Sequence, residues 1–123
     1  MLKRKVRLLL LDDDPAMQRL IPMLLKRGGY KVDVVSSGAQ AIEKIGETDY
    51  GALLLDLMTP TEGGLTVNKH LKEVNPPMLE RVILVTASPD SVLRSAARDV
   101  AEVVQKPFDA ADLTAAVERV LAR

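Results

Sequence analysis

The chain has 123 residues, the size of one domain, which buries roughly two-thirds of the surface that its unfolded form exposes. Seventeen basic and seventeen acidic residues cancel, so the net charge calls for neither nucleic acid nor an anionic membrane as partner. There is no cysteine, which excludes disulfides and thiolate chemistry, and only Tyr30, Tyr50 and Phe108 are aromatic, which excludes base stacking as a binding mode. The apolar runs are too short to span a membrane, and the first residues lack the apolar core and cleavage site of a signal peptide. The expected location is the cytoplasm.

Val6 to Leu11 is an apolar run that stops abruptly at Asp12-Asp13-Asp14-Pro15, as a buried strand does. Asp14 suits a helix N-cap with Pro15 at the first helical position; Met17, Leu20, Ile21, Leu24 and Leu25 follow at helical spacing, and Gly28-Gly29 ends the helix. Pro22 lies inside it and predicts a kink or an early end. Lys31 to Val35 alternates polar and apolar, the pattern of a sheet edge. Ser36-Ser37-Gly38 then leads into a short helix with Ala41, Ile42 and Ile45 on one face, closed by Gly46 to Asp49.

The third strand is the unbroken run around Leu53-Leu54-Leu55-Asp56-Leu57, ended by Thr59-Pro60, so Asp56 sits at or near its C-terminal end. A helix is predicted from about Leu65 to Val74 with Leu65, Asn68 and Leu71 inward, and Pro76-Pro77 forbids its continuation. Arg81 to Thr86 is a fourth strand, and Ser88-Pro89-Asp90 opens a helix bearing Val92, Leu93, Ala96 and Ala97. Glu102 to Gln105 is a brief fifth strand; Lys106-Pro107-Phe108 follows, and Asp109 caps a last helix with Leu113, Val117, Val120 and Leu121 on its apolar stripe. The whole of residues 1–123 reads as one domain, with no output domain in the chain.

Strands alternating with helices imply an α/β, doubly wound, five-stranded parallel sheet with helices on both faces. Strands one, three and four are continuously apolar and belong in the middle, whereas the alternating second and the short fifth belong at the edges. The order 2-1-3-4-5 fits, with its switch point between strands one and three. A phosphate-cradling turn would need glycines after strand one, where three aspartates stand instead.

In that order Asp12 and Asp13 face Asp56 across the crevice, and three carboxylates so close require a cation. Oxygen-only ligands in this number suit Mg²⁺. Thr86 and Lys106, ending strands four and five, can meet the oxygens of an incoming phosphoryl group. The set reads as a phosphoryl-transfer site in which Asp56 is the nucleophile. His70, the only histidine, lies on the third helix away from the strand ends and reads as a surface residue.

Four motifs then stand out in order: Leu-Leu-Leu-Leu-Asp-Asp-Asp-Pro (8–15), Leu-Leu-Leu-Asp-Leu-Met-Thr-Pro (53–60), Val-Thr-Ala (85–87) and Lys-Pro-Phe (106–108). Together they resemble the receiver domain of a two-component response regulator of the single-domain chemotaxis-regulator kind, from about Arg4 to Leu121, with its flavodoxin-like fold. The resemblance implies that Asp56 is the phosphoacceptor of a phosphorelay and that Asp12 and Asp13 hold Mg²⁺, with the carbonyl of Met58 completing the shell. It makes Thr86 the switch hydroxyl and Lys106 the phosphate-sensing lysine, usually before a cis proline. It implies a sensor histidine kinase or a histidine phosphotransfer protein as donor, an unspecified downstream protein, and a monomer or weak dimer. Such a protein is a signalling switch rather than a turnover enzyme.

The chain departs from that pattern at Val103, where an aromatic switch residue usually stands, and at Thr61-Glu62-Gly63 in the loop after strand three. Met58 and Ser88, each two residues beyond a site residue, are weak bases, which predicts a long-lived phosphoaspartate. Two other functions compete: a degenerate receiver that docks partners without phosphorylation, and a Mg²⁺-dependent phosphohydrolase working through an aspartyl phosphate.

Overall fold

A computed structural model describes residues 6–57, 63–87, 94 and 96–123. One parallel sheet organises them, with strands β1 (Arg7–Leu11), β2 (Lys31–Val35), β3 (Ala52–Leu55), β4 (Val82–Thr86) and β5 (Glu102–Gln105) in the order β2-β1-β3-β4-β5. This is the expected doubly wound topology. Helix α1 (Pro15–Lys26) follows β1, α2 (Gly38–Glu47) follows β2 and α3 (Gly64–Val74) follows β3; the C-terminal helix (Ala110–Leu121) follows β5. The helix expected after β4 falls largely outside the described residues, although Arg94, Ala96 and Ala97 are helical.

Leucine alternation builds the two layers. Leu8 and Leu10 join Leu54, Ile83 and Val85 under α1 and the C-terminal helix, while Leu9 and Leu11 join Leu53, Leu55 and Leu84 on the side of α2 and α3. All four β1 leucines are fully buried, and each contributes on the order of 1.5–3 kcal/mol by leaving water. The edge strand β2 keeps its polar residues partly exposed.

Local signals explain most helix ends. Asp14 Oδ1 accepts the Ala16 N–H at 2.9 Å and Ser37 Oγ accepts that of Gln40 at 3.3 Å, each as N-cap. Gly29 takes the left-handed conformation (φ 89°) that a residue with a Cβ resists, and the chain turns there into β2. Two expectations need correction. Pro22 neither ends nor shortens α1, because Ile21 and Leu25, fully buried either side of it, hold the segment against the sheet. Leu65 faces outward at 42 % exposure; Gly64, Val67, Asn68 and Leu71 form the buried face, since the helix starts one residue earlier and a glycine takes the first inward position. His70 is partly exposed on α3. The prolines that stop α3 also start a 3₁₀ helix, Pro76–Arg81, whose φ they favour.

Asp33 on β2 anchors a polar cluster that sequence patterning does not reveal. Its carboxylate accepts the Tyr50 hydroxyl at 2.8 Å and pairs with Arg7 at 3.2 Å. Burial alone would raise the Asp33 pKa, but the bonds from Tyr50 and Arg7 outweigh it and hold the carboxyl below its usual value. Burial, then the Asp33 bond and charge, push the Tyr50 phenol up to about 12. The folded chain therefore holds that proton where the unfolded chain loses it, so this stabilisation is complete below pH 10 and is lost between pH 10 and about 12. Tyr50→Phe is expected to remove about 2–3 kcal/mol of the alkaline loss in that window, read from urea midpoints of both chains at stepped pH. Identical pH slopes for the two would contradict it.

Candidate functional site at the C-terminal end of the sheet

Ladder hydrogen bonds run past the ends of the strands and set the site residues side by side. Asp12 N–H donates to the Val35 carbonyl (3.2 Å), Asp56 N–H to that of Leu11 (2.9 Å) and Lys106 N–H to that of Thr86 (3.0 Å). Asp12, Asp56, Thr86 and Lys106 thus occupy the ends of four neighbouring strands, β1, β3, β4 and β5. The Gly64 N–H donates to the Asp56 carbonyl at 2.7 Å, joining the start of α3 to the same point.

The side chains converge as well. Lys106 Nζ lies 2.8 Å from Asp12 Oδ2 and 3.4 Å from Asp56 Oδ2, and Thr86 Oγ1 donates to Asp56 Oδ1 at 3.1 Å. The second Asp12 oxygen, Oδ1, accepts the Asp14 N–H at 2.9 Å, so Asp14 both caps α1 and braces its neighbour. Sequence reasoning placed Lys106 on the phosphate flank; the structure shows that its stem also reaches across to the acidic flank. Its ammonium acts as counter-ion to two carboxylates. Asp12 is fully buried, Asp56 is mostly buried and Asp13 is exposed.

Burial raises the Asp12 pKa, and the negative charge of Asp56 adds to that; the Lys106 ammonium and the Asp14 N–H oppose it. Burial would lower the Lys106 pKa, but its bonds and charge contacts with Asp12 and Asp56 raise it, so the ammonium keeps its proton.

Asp12, Asp13 and Asp56 each offer an oxygen, and the three oxygens all lie within 4.8 Å of one another. Among the described residues this cluster holds three carboxylates against one ammonium, which leaves two negative charges that one divalent cation cancels. Hard oxygen donors with solvent access on the Asp13 side fit Mg²⁺, which keeps several waters. Met58, the expected source of a backbone ligand, lies outside the described residues, as does Ser88.

Beside Lys106 opens a mainly apolar cleft of about 370 Å³, lined by Met17 and Leu20 of α1 and by Ala87, Pro107 and Phe108. The Lys106–Pro107 peptide is cis, as the resemblance implied. Val103, where an aromatic was expected by the family pattern, is half-buried against the core beneath α2 and α3. No helix among the described residues is long and apolar enough to cross a membrane.

Known proteins share the sequence and the fold of this chain. The chain is 32 % identical over 121 residues to the response regulator receiver protein CpdR of Brucella abortus, covering 94 % of this chain and 96 % of CpdR. It is 29 % identical to the transcriptional regulatory protein ResD of Bacillus subtilis over 97 % of this chain, and spans about half (49 %) of ResD. A sensor protein from Polaromonas sp. JS666 shares the fold with a TM-score of 0.85 at 26 % identity, covering 97 % of this chain and 98 % of that one. Residues 8–118 match the response regulator receiver domain, and the chain belongs to that family of two-component signalling domains.

Proposed function

We propose that this receiver domain is a phosphorylation-controlled switch whose phosphoacceptor is Asp56. The phosphoryl group comes from a phosphohistidine on a sensor histidine kinase or a phosphotransfer protein. An Asp56 carboxylate oxygen attacks phosphorus in line, the P–N bond to the donor imidazole breaks, and its electron pair stays on the imidazole nitrogen, leaving an acyl phosphate. Asp12, Asp13 and Asp56 would hold Mg²⁺, which when bound neutralises charge on the phosphoryl oxygens. Lys106 supplies a positive charge within 3.4 Å of the nucleophile, and Thr86 supplies a hydroxyl already bonded to it. The apolar cleft beside Lys106 offers the donor protein a docking surface next to the nucleophile. We place the protein in the cytoplasm.

The observation that carries the reading is the convergence of four functional groups, those of Asp12, Asp13, Thr86 and Lys106 from the ends of β1, β4 and β5, on the Asp56 carboxylate. Acetyl phosphate with Mg²⁺, followed by intact-protein mass measurement, tests it. One persistent added phosphoryl group is the expected result. Release of phosphate over many turnovers without accumulation would favour the phosphohydrolase, and an unmodified mass would favour the docking module. Because the Lys106 ammonium competes with a cation for Asp12 and Asp56, Lys106→Met is expected to bind Mg²⁺ about tenfold more tightly by calorimetry while accepting phosphate more slowly. Unchanged affinity would show that the ammonium does not compete.

A further inference from the structure

Gln18, in the first turns of α1, makes contacts that the phosphoryl-transfer reading does not use. Its Nε2 donates to the backbone carbonyl of Asp12 at 2.7 Å and to Ser36 Oγ at 2.9 Å. A backbone carbonyl can only accept, so this contact fixes which end of the amide faces Asp12, and both Nε2 hydrogens are then committed. The chain on the far side is tied in turn: Ser36 N–H donates to Gln40 Oε1 at 2.9 Å, and Gln40 N–H donates to the capping Ser37 Oγ. Together with the bond from Asp12 N–H to Val35, both polar groups of the Asp12 main chain are held by the segment 35–40 or by a side chain bonded to it.

Position matters here because Asp12 lies one residue past the end of β1, where its N–H still meets the Val35 carbonyl but the donor to its own carbonyl is Gln18 rather than a ladder N–H. An untethered peptide at that point would be free to rotate, and the side chain it carries is the buried one whose two oxygens face Asp14 and Lys106. We propose that Gln18 is a positioning residue of the metal site, clamping the Asp12 backbone to the corner between β2 and α2 and so making Ser36 part of what sets cation affinity. The inference rests on the reading of Asp12 as a Mg²⁺ ligand.

Groups that orient metal ligands without touching the ion commonly change affinity by roughly 10- to 100-fold when removed. Gln18 acts through the backbone, so the lower end applies. Calorimetric Mg²⁺ titration of the unphosphorylated full chain, at fixed pH and ionic strength, is expected to show about tenfold weaker binding for Gln18→Met, which keeps the shape and loses both bonds. Ser36→Ala, a change at an exposed hydroxyl, is expected to weaken binding by about threefold, the worth of one modest hydrogen bond. The double variant is expected to bind no more weakly than Gln18→Met alone, because Ser36 acts only through Gln18; a purely structural role would give additive losses. Should Gln18→Met fail to fold, Ser36→Ala carries the test by itself. Unchanged affinity in the variants, or additive losses, would overturn the inference while leaving Asp12 a ligand. A parent chain that takes up no Mg²⁺ would overturn the metal reading itself, and the inference with it.

Discussion

Asp56→Asn is expected to take up no phosphoryl group from acetyl phosphate and Mg²⁺ under conditions in which the parent chain is modified. The amide is a poor nucleophile and cannot form the acyl phosphate, so the loss is complete rather than partial. It is not a folding defect. Asparagine has the same shape, its oxygen still accepts from Thr86, and Lys106 keeps its shorter contact to Asp12. Removing one of three clustered negative charges also relieves repulsion, so Asp56→Asn is expected to unfold at a urea concentration no lower than the parent's. An adduct of equal yield on Asp56→Asn would place the nucleophile elsewhere.

Gly64→Ala is expected to be the most damaging single-methyl change in the described residues near the site. A Cβ built at Gly64 lies 2.7 Å from the Asp56 carbonyl oxygen, 3.0 Å from its carbon and 3.2 Å from Leu55 Cβ. These atoms belong to the end of a central strand and cannot swing aside as a side-chain tip can. Either α3 moves off, stretching the 2.7 Å bond from Gly64 N–H, or Asp56 shifts. A loss of about 1–3 kcal/mol in unfolding free energy is expected, with slower phosphorylation of the folded fraction. Gly46→Ala in α2 is the control of opposite sign: its Cβ meets nothing within 4 Å, so the helix gains by roughly 0.5–1 kcal/mol. Equal urea midpoints for the two variants would show that the crowding at Gly64 is relieved without cost.

The sheet order was legible because burial on both faces leaves a mark on the sequence: Leu8 to Leu11, Ala52 to Leu55 and Val82 to Val85 are unbroken apolar runs, and β2 alternates. Asp12, Asp56 and Thr86 were legible for a related reason, since each stands where an apolar run stops, and Lys106 was legible from its place after the short fifth strand. Interactions that depend on reach were not. Nothing in a linear sequence says that the Lys106 stem crosses from β5 to the carboxylate of β1, or that Asp33 on an edge strand meets Tyr50 and Arg7. Gln18 looks like any polar residue in a helix's first turns until the fold brings Ser36 beside it. The inward face of α3 was misjudged at Leu65 because a glycine in the first buried position gives a hydrophobicity pattern no signal.

The ladder bonds that carry Asp12, Asp56 and Lys106 beyond the strands have a consequence for how the protein can lose its chemistry. The Asp56 amide, bonded between the two central strands β3 and β1, exchanges with solvent only when the entire domain opens, whereas edge strands and loops open locally at little cost. The backbone under the nucleophile therefore belongs to the last cooperative unit to come apart. Loss of the nucleophile's position should then follow the global unfolding curve, whereas fraying of α1 reaches the metal side of the site first, through Asp14 and Gln18.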